Sequence, residues 1–131
     1  MDMKLELVPI PVVDVDRAKA FYLEKLGFTE DVDVRPTAGV RVVQMTPPGS
    51  ACSITIGTGL AVYNDSTPGS VKGIHLVVAD IEMARAELVN RGVDVSPVTE
   101  VGEGVKYAGF EDPDGNTFTF QEMAWRTGGN F

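Results

Sequence analysis

The sequence predicts an α+β fold assembled from two tandem βαβββ units, and three observations carry that prediction. The first is an internal repeat. Setting Asp14 over Asp80 lays Val12-Val13-Asp14-Val15-Asp16-Arg17-Ala18-Lys19-Ala20 on Val78-Ala79-Asp80-Ile81-Glu82-Met83-Ala84-Arg85-Ala86, and most pairs are identical or chemically similar. The second is that each copy passes from an apolar run, through an Asp, into a segment of helical spacing that stops at a Gly, Gly27 or Gly92. The third is that short strand-like runs, separated by turn residues, follow each helix.

The elements follow in order. Leu5 to Val13 is rich in Val, Ile and Leu and reads as a strand. Pro9 and Pro11 have no N–H for a ladder, so it belongs at a sheet edge. Asp14 suits a helix N-cap. Val15, Ala18, Phe21, Tyr22 and Leu26 keep helical spacing up to Gly27. Phe28–Val34, Val40–Thr46 and Cys52–Gly57 are the expected strands, broken by Asp33–Gly39 and Pro47-Pro48-Gly49. In the second copy Asp80 is the cap, Ile81, Ala84, Leu88 and Val89 the stripe, and Gly92 the stop. Val93–Val98, Val105–Phe110 and Thr117–Glu122 are its strands, with breaks at Gly102–Gly104 and Asp112-Pro113-Asp114-Gly115-Asn116. In that last break Asp, Pro, Gly and Asn each favour a turn for a separate reason. One domain spanning 1–131 is therefore expected, made of repeats at about 1–60 and 72–124 and joined by a polar linker at 61–71. The tail Arg126–Asn130 is expected to be mobile.

Strand faces separate by alternation. In Ser53-Ile54-Thr55-Ile56 the isoleucines share one face, and in Thr117-Phe118-Thr119-Phe120-Gln121 the phenylalanines do. The apolar faces are expected to take the helices, leaving the Thr and Gln faces to water or a cavity.

The 131 residues are 44% hydrophobic and 23% charged, a globular balance, with a net charge of −8. That charge argues against nucleic acid and against an anionic membrane surface as partners. No run approaches the roughly 18 apolar residues of a membrane span. Met1 to Leu7 carries Asp2, Lys4 and Glu6 with no apolar signal core after it, so a soluble cytoplasmic protein is expected. The single Cys, Cys52, cannot form an internal disulfide and reads as a small buried hydrophobe. The single His, His75, restricts metal and triad chemistry further.

Val12-Val13-Asp14-Val15-Asp16-Arg17-Ala18-Lys19-Ala20-Phe21-Tyr22, Leu26-Gly27-Phe28 and Asp112-Pro113-Asp114-Gly115-Asn116 together resemble the vicinal oxygen chelate superfamily, the glyoxalase, bleomycin-resistance and extradiol dioxygenase group. The resemblance covers nearly the whole chain. It implies a half-open, cup-shaped mixed sheet with helices on the convex side, a cavity within the cup, and a homodimer. It also locates the metal-ligand positions of the group at Leu7, Thr55, Gly73 and Thr119. Leu and Gly offer no ligating side chain and a Thr hydroxyl is a weak ligand, so no metal and no cofactor are expected.

His75 stands two residues beyond Gly73 and is expected on the cavity face. It reads either as a pocket residue that binds ligand or acts as acid/base, or as a structural His bonded to nearby backbone or to the partner subunit. A metal there would need company, and Glu122 is expected to face the other way. Leu7, Pro9, Gln44, Thr55, His75, Tyr107, Thr119, Gln121 and Trp125 are the candidate ligand-binding residues, with Arg41 a further polar candidate and Phe110 a stacking one. Asp112 and Asp114 are explained by their turn. Gly57-Thr58-Gly59 is too far from a helix start to cradle phosphate.

Three functions compete. One is a metal-free protein that binds a small, aromatic compound. The second is an enzyme of the same superfamily, a lyase, isomerase or dioxygenase, with a relocated or absent metal and His75 as its acid/base. The third is an interaction module, which predicts no ligand-sized cavity.

Overall fold

A computed structural model describes residues 1–126 and divides into two compact units. The expectation for the tail lies, from residue 127 on, outside the described residues. The first unit comprises Met1–Val71 with Asp112–Asn116, and the second comprises Lys72–Glu111 with the described residues from Thr117.

The first unit runs β1 (Leu7–Pro9), α1 (Val15–Ala20), a π-helical turn (Phe21–Lys25), β2 (Thr29–Val34), β3 (Arg41–Thr46), β4 (Ser53–Thr58) and α2 (Ala61–Asn64). Its sheet has the order β1-β4-β3-β2, with β1 parallel to β4 and the other pairs antiparallel. The second unit runs β5 (Ile74–Val77), α3 (Ile81–Asn90), β6 (Thr99–Gly102), β7 (Val105–Glu111) and β8 (Thr117–Glu122). Its order is β5-β8-β7-β6, again with one parallel pair, β5 with β8. The βαβββ pattern therefore occurs twice, as two open mixed sheets of an α+β fold.

Both helix starts are as expected. The Asp14 side chain accepts from the Arg17 N–H and that of Asp80 from the Met83 N–H, each satisfying one orphan donor of a first turn. Gly27 and Gly92 stand at φ 74° and 86°, the left-handed conformation that ends a helix cheaply only with Gly. Val15, Ala18 and Tyr22 are buried in the first unit, and Ile81 and Leu88 in the second.

Three expectations change. The first strand is shorter than Leu5–Val13: Ile10 still donates to the Thr55 carbonyl, but Pro11 has no N–H and pairing ends. Val93–Val98 is not a strand. Only the Ser96 N–H bonds the Gly109 carbonyl; the return bond from the Gly109 N–H goes to the Ser96 hydroxyl, and Pro97 has no donor. The ladder begins instead at Thr99. Within 61–71, Ala61–Asn64 forms a single helical turn.

A buried polar cluster closes the first unit. Asn116, fully buried, donates through Nδ2 to the Pro11 carbonyl at 2.9 Å and to Asp112 Oδ2 at 2.8 Å, and accepts the Val71 N–H at 3.1 Å. Tyr22 Oη donates to the same Asp112 Oδ2 at 2.7 Å. Burial, then the Asp112 charge, pushes the Tyr22 phenol far above its ordinary range, so it stays a donor. Tyr22→Phe keeps the ring and removes this donor. It is expected to lower the unfolding free energy by about 1–3 kcal/mol in urea titration, and an unchanged midpoint would contradict that role.

Arg41 is buried among carboxylates, with Nη1 2.6 Å from Asp16, Nη2 2.9 Å from Asp33, and Lys19 also 2.8 Å from Asp33. Hydrogen bonds from Arg41, then Lys19, hold the Asp33 carboxyl well below the usual carboxylate range. A group depressed in the folded state adds stability above its unfolded pKa of about 3.9, and that contribution fades as pH falls toward the folded value. Acid titration of unfolding is expected to show loss of stability below about pH 4, with Asp33→Asn flattening that limb.

Candidate functional site

Residues opposite one another in a ladder share a sheet face, so the strand pairings sort every candidate. In the first unit Val43 with Ile56 and Met45 with Ile54 form one face, fully or almost fully buried. Arg41 belongs to this face and reaches Asp16 of α1. Arg41 is therefore a helix-side ion pair and not the cavity residue expected from its strand. The opposite face carries Leu7 and Pro9 beside Ser53 and Thr55, then Gln44 beside Thr55 and Val32. Leu7, Pro9, Gln44 and Thr55 thus share one face. Thr55 is buried, Leu7, Pro9 and Gln44 are half-buried, and Gln44 Nε2 donates to Glu6 at 3.2 Å. Tyr63 of α2 lies against Gly57 on this strand, where an added Cβ would come within 2.5 Å of the ring.

The second unit sorts the same way. Phe110, Phe118 and Phe120 share the helix face with Ala108; the Phe110 ring stacks on Phe118 at 5.4 Å and meets Phe120 tilted at 5.1 Å between centroids. Phe110 thus packs in the core, although a cleft in this unit reaches it. Glu122 also faces the helix, as expected: it accepts the Ile81 N–H at 3.0 Å and lies 3.6 Å from Lys106. The helix-free face carries His75 opposite Thr119, Val77 and Tyr107 opposite Gln121, and Gly109 opposite Thr119. His75, Tyr107, Thr119 and Gln121 therefore come together on one face. The His75 and Tyr107 rings meet edge to face with centroids 5.8 Å apart. Trp125 lies beyond β8, well exposed, with no register that places it on this face. Cys52 is half-buried, its thiol 3.5 Å from the Ser53 carbonyl.

Gly73 precedes β5 at φ 76°. Its N–H donates to Thr117 Oγ1 at 2.7 Å, and its carbonyl lies 2.7 Å from His75 Nδ1. Both structural and exposed features of His75 are thus present: one ring nitrogen is tied to backbone, while the residue itself is open to solvent.

A cleft of about 560 Å³ opens in the second unit. Gly109, Glu111, Thr117 and Thr119 line it from the helix-free face, Asp94 and Ser96 from the segment beside β7. This volume is within the range of small-molecule sites, and of the candidate ligand-binding residues Thr119 lines it. Sequence reasoning passed over Asp94, Ser96 and Glu111. Glu111 was legible, since it continues the alternation of Tyr107 and Gly109; Asp94 and Ser96 were not, because nothing local says what runs beside β7.

The residues at the expected ligand positions do not fit a divalent ion. Leu7 and Gly73 have no donor side chain, and Thr55 and Thr119 offer hydroxyls only. Among the described residues no three His, Cys, Asp or Glu gather as a metal-holding group, and no helix is long and apolar enough to cross a membrane.

Comparison with known proteins gives a consistent result. Residues 4–120 match the model of the Glyoxalase/Bleomycin resistance protein/Dioxygenase superfamily. A solved structure of TnmS3, an antibiotic binding protein from Streptomyces sp. CB03234, is 31% identical over 94% of this chain and 98% of its own, with a TM-score of 0.81. A member of the same superfamily from Sphaerobacter thermophilus DSM 20745 is 33% identical over 92% and 98%, with a TM-score of 0.80. A glyoxalase/bleomycin resistance protein from Streptomyces sp. CB03234 is 32% identical over 89% and 98%, with a TM-score of 0.75. No curated protein matches the sequence.

Ser96→Ala removes the acceptor of the Gly109 N–H at the cleft wall. A loss of about 1 kcal/mol in unfolding free energy is expected, with faster amide exchange at Gly109. Unaltered protection of that amide would show the hydroxyl to be dispensable.

Proposed function

From the membership of this chain in the Glyoxalase/Bleomycin resistance protein/Dioxygenase superfamily, we propose that it is a binding protein. It holds a small compound with an aromatic part against the helix-free sheet faces and uses no metal ion. The observation that carries this reading is the donor-poor set Leu7, Thr55, Gly73 and Thr119 at the positions where metal-dependent members of the family hold their ion. Support comes from the ring pair of exposed His75 and half-buried Tyr107, the cleft that Thr119 lines, and the antibiotic binding protein among the structural neighbours. The candidate contacting residues are Leu7, Pro9, Gln44 and Thr55 on the helix-free face of the first unit and His75, Tyr107, Thr119 and Gln121 on that of the second, with Trp125 at the margin of the second. We place the protein in the cytoplasm as a homodimer; its lone thiol, Cys52, fits a reducing compartment.

Two measurements test the proposal. Protein grown and dialysed with Ni, Co, Fe, Mn or Zn is expected to retain far less than one equivalent of metal, and a stoichiometric ion resistant to dialysis overturns the metal-free reading. A thermal-shift screen of aromatic natural products is expected to yield compounds that raise the melting temperature with concentration. A ligand bound only to the folded state adds about 2.7 kcal/mol at one hundred times its Kd.

A further inference from the structure

We infer that Gly73, at a position where metal-dependent relatives carry a ligand, serves here as a backbone bracket that fixes the tautomer of His75, so that the imidazole offers Nε2 as a hydrogen-bond acceptor to a hydroxyl or N–H of the bound compound. This deepens the binding reading and rests on it for the identity of the site.

The inference starts from what each atom can do. A carbonyl oxygen only accepts, so the 2.7 Å contact between His75 Nδ1 and the Gly73 carbonyl requires the proton on Nδ1. In the neutral ring Nε2 then carries a bare lone pair. The bracket is itself held. The Gly73 N–H donates to Thr117 Oγ1 at 2.7 Å, and the residue takes φ 76°, which a side chain at that position would strain. Tyr107 buttresses the ring edge to face. No described residue hydrogen-bonds Nε2, and His75 is exposed on the helix-free face.

The chemistry of the partner follows. A bare lone pair selects a donor over an acceptor. The net charge of −8, with Asp94 and Glu111 lining the cleft that Thr119 shares, disfavours an anion. The compound that fits is an uncharged aromatic bearing a free hydroxyl or N–H, with its rings beside Tyr107 and the donor on Nε2.

The chain has one His, so imidazole nitrogen signals are unambiguous. Long-range proton–nitrogen correlation on the ligand-free protein, at a pH where the ring is neutral, is expected to show the Nδ1–H tautomer. The Nε2–H tautomer, the usual one in free histidine, would overturn the bracket without touching the binding reading. Titration with 2-naphthol and 2-methoxynaphthalene, which share rings and differ in the donor, then tests the acceptor. The naphthol is expected to bind about tenfold more tightly and to shift the Nε2 resonance, and His75→Phe to abolish both differences while leaving the fold intact. Equal affinities in the native protein overturn the hydrogen bond. Failure of both compounds to bind, with the Nδ1–H tautomer in place, overturns the aromatic-binding reading and the ligand half of this inference with it.

Discussion

The carboxamide of Asn116 is the constraint on which the first unit is organised. Its two N–H groups and its oxygen reach Pro11, Asp112 and Val71, and the backbone N–H of Asn116 bonds Asp112 Oδ1. A buried carboxamide left unpaired costs free energy, so these partners must arrive together or the side chain cannot be enclosed. The separations are 105 residues to Pro11 and 45 to Val71, which makes this contact an endpoint of folding and not a local turn preference. Tyr22 adds a neutral donor to the buried carboxylate of Asp112, giving its Oδ2 a second partner beside the Asn116 Nδ2. The same five residues that satisfy local turn chemistry therefore also set where the first strand ends, at Pro11, whose carbonyl is engaged and whose missing N–H needs no partner.

With the helix side of each sheet committed to Val, Ile, Met and Phe, the period-2 rule leaves the other side to Thr, Gln, His and Tyr. That division does more for function than any single motif. It puts charged Arg41 on the helix side, where the carboxylates of Asp16 and Asp33 pair with it, and keeps the ladder Thr119–His75 and Gln121–Tyr107 open. Shifting β8 by one residue would exchange these sets, exposing the Phe118 and Phe120 rings that now pack on Phe110. Core packing and site placement are one constraint.

How much of this was legible in the sequence depends on the reach of each interaction. Asp14, Asp80, Gly27 and Gly92 act within a helical turn of themselves, and the alternation of Thr119 and Phe120 is a property of one strand; all were readable. So was the mismatch at Leu7 and Gly73, because the family resemblance places ligand positions there by their distance from Asp14 and Asp80. What could not be read depends on what lies alongside. Alternation puts Arg41 on the face of Val43 and Met45, but that Asp16 and Asp33 stand there to pair with it is a matter of packing. Val93–Val98 has strand composition, yet its partner bond is taken by the Ser96 hydroxyl. The cleft wall at Asp94 and the Asp112 contact of Tyr22, 90 residues apart in sequence, likewise belong to packing and not to pattern.

A glycine at a ligand position admits two readings: a site simply lost, or a position given another use. The geometry distinguishes them, because a merely vacated position has no need for a left-handed φ or for engagement of both backbone groups. At Gly73 the N–H is held by Thr117 and the carbonyl by His75. Any other residue type could leave its side chain pointing into the space that is open there, but would pay for the φ that aims the carbonyl. Gly73 offers no donor side chain, and its backbone carbonyl engages the neighbouring imidazole instead. The lone His is informative for that reason: with no second imidazole near it to share a metal, its value lies in which of its two nitrogens faces outward.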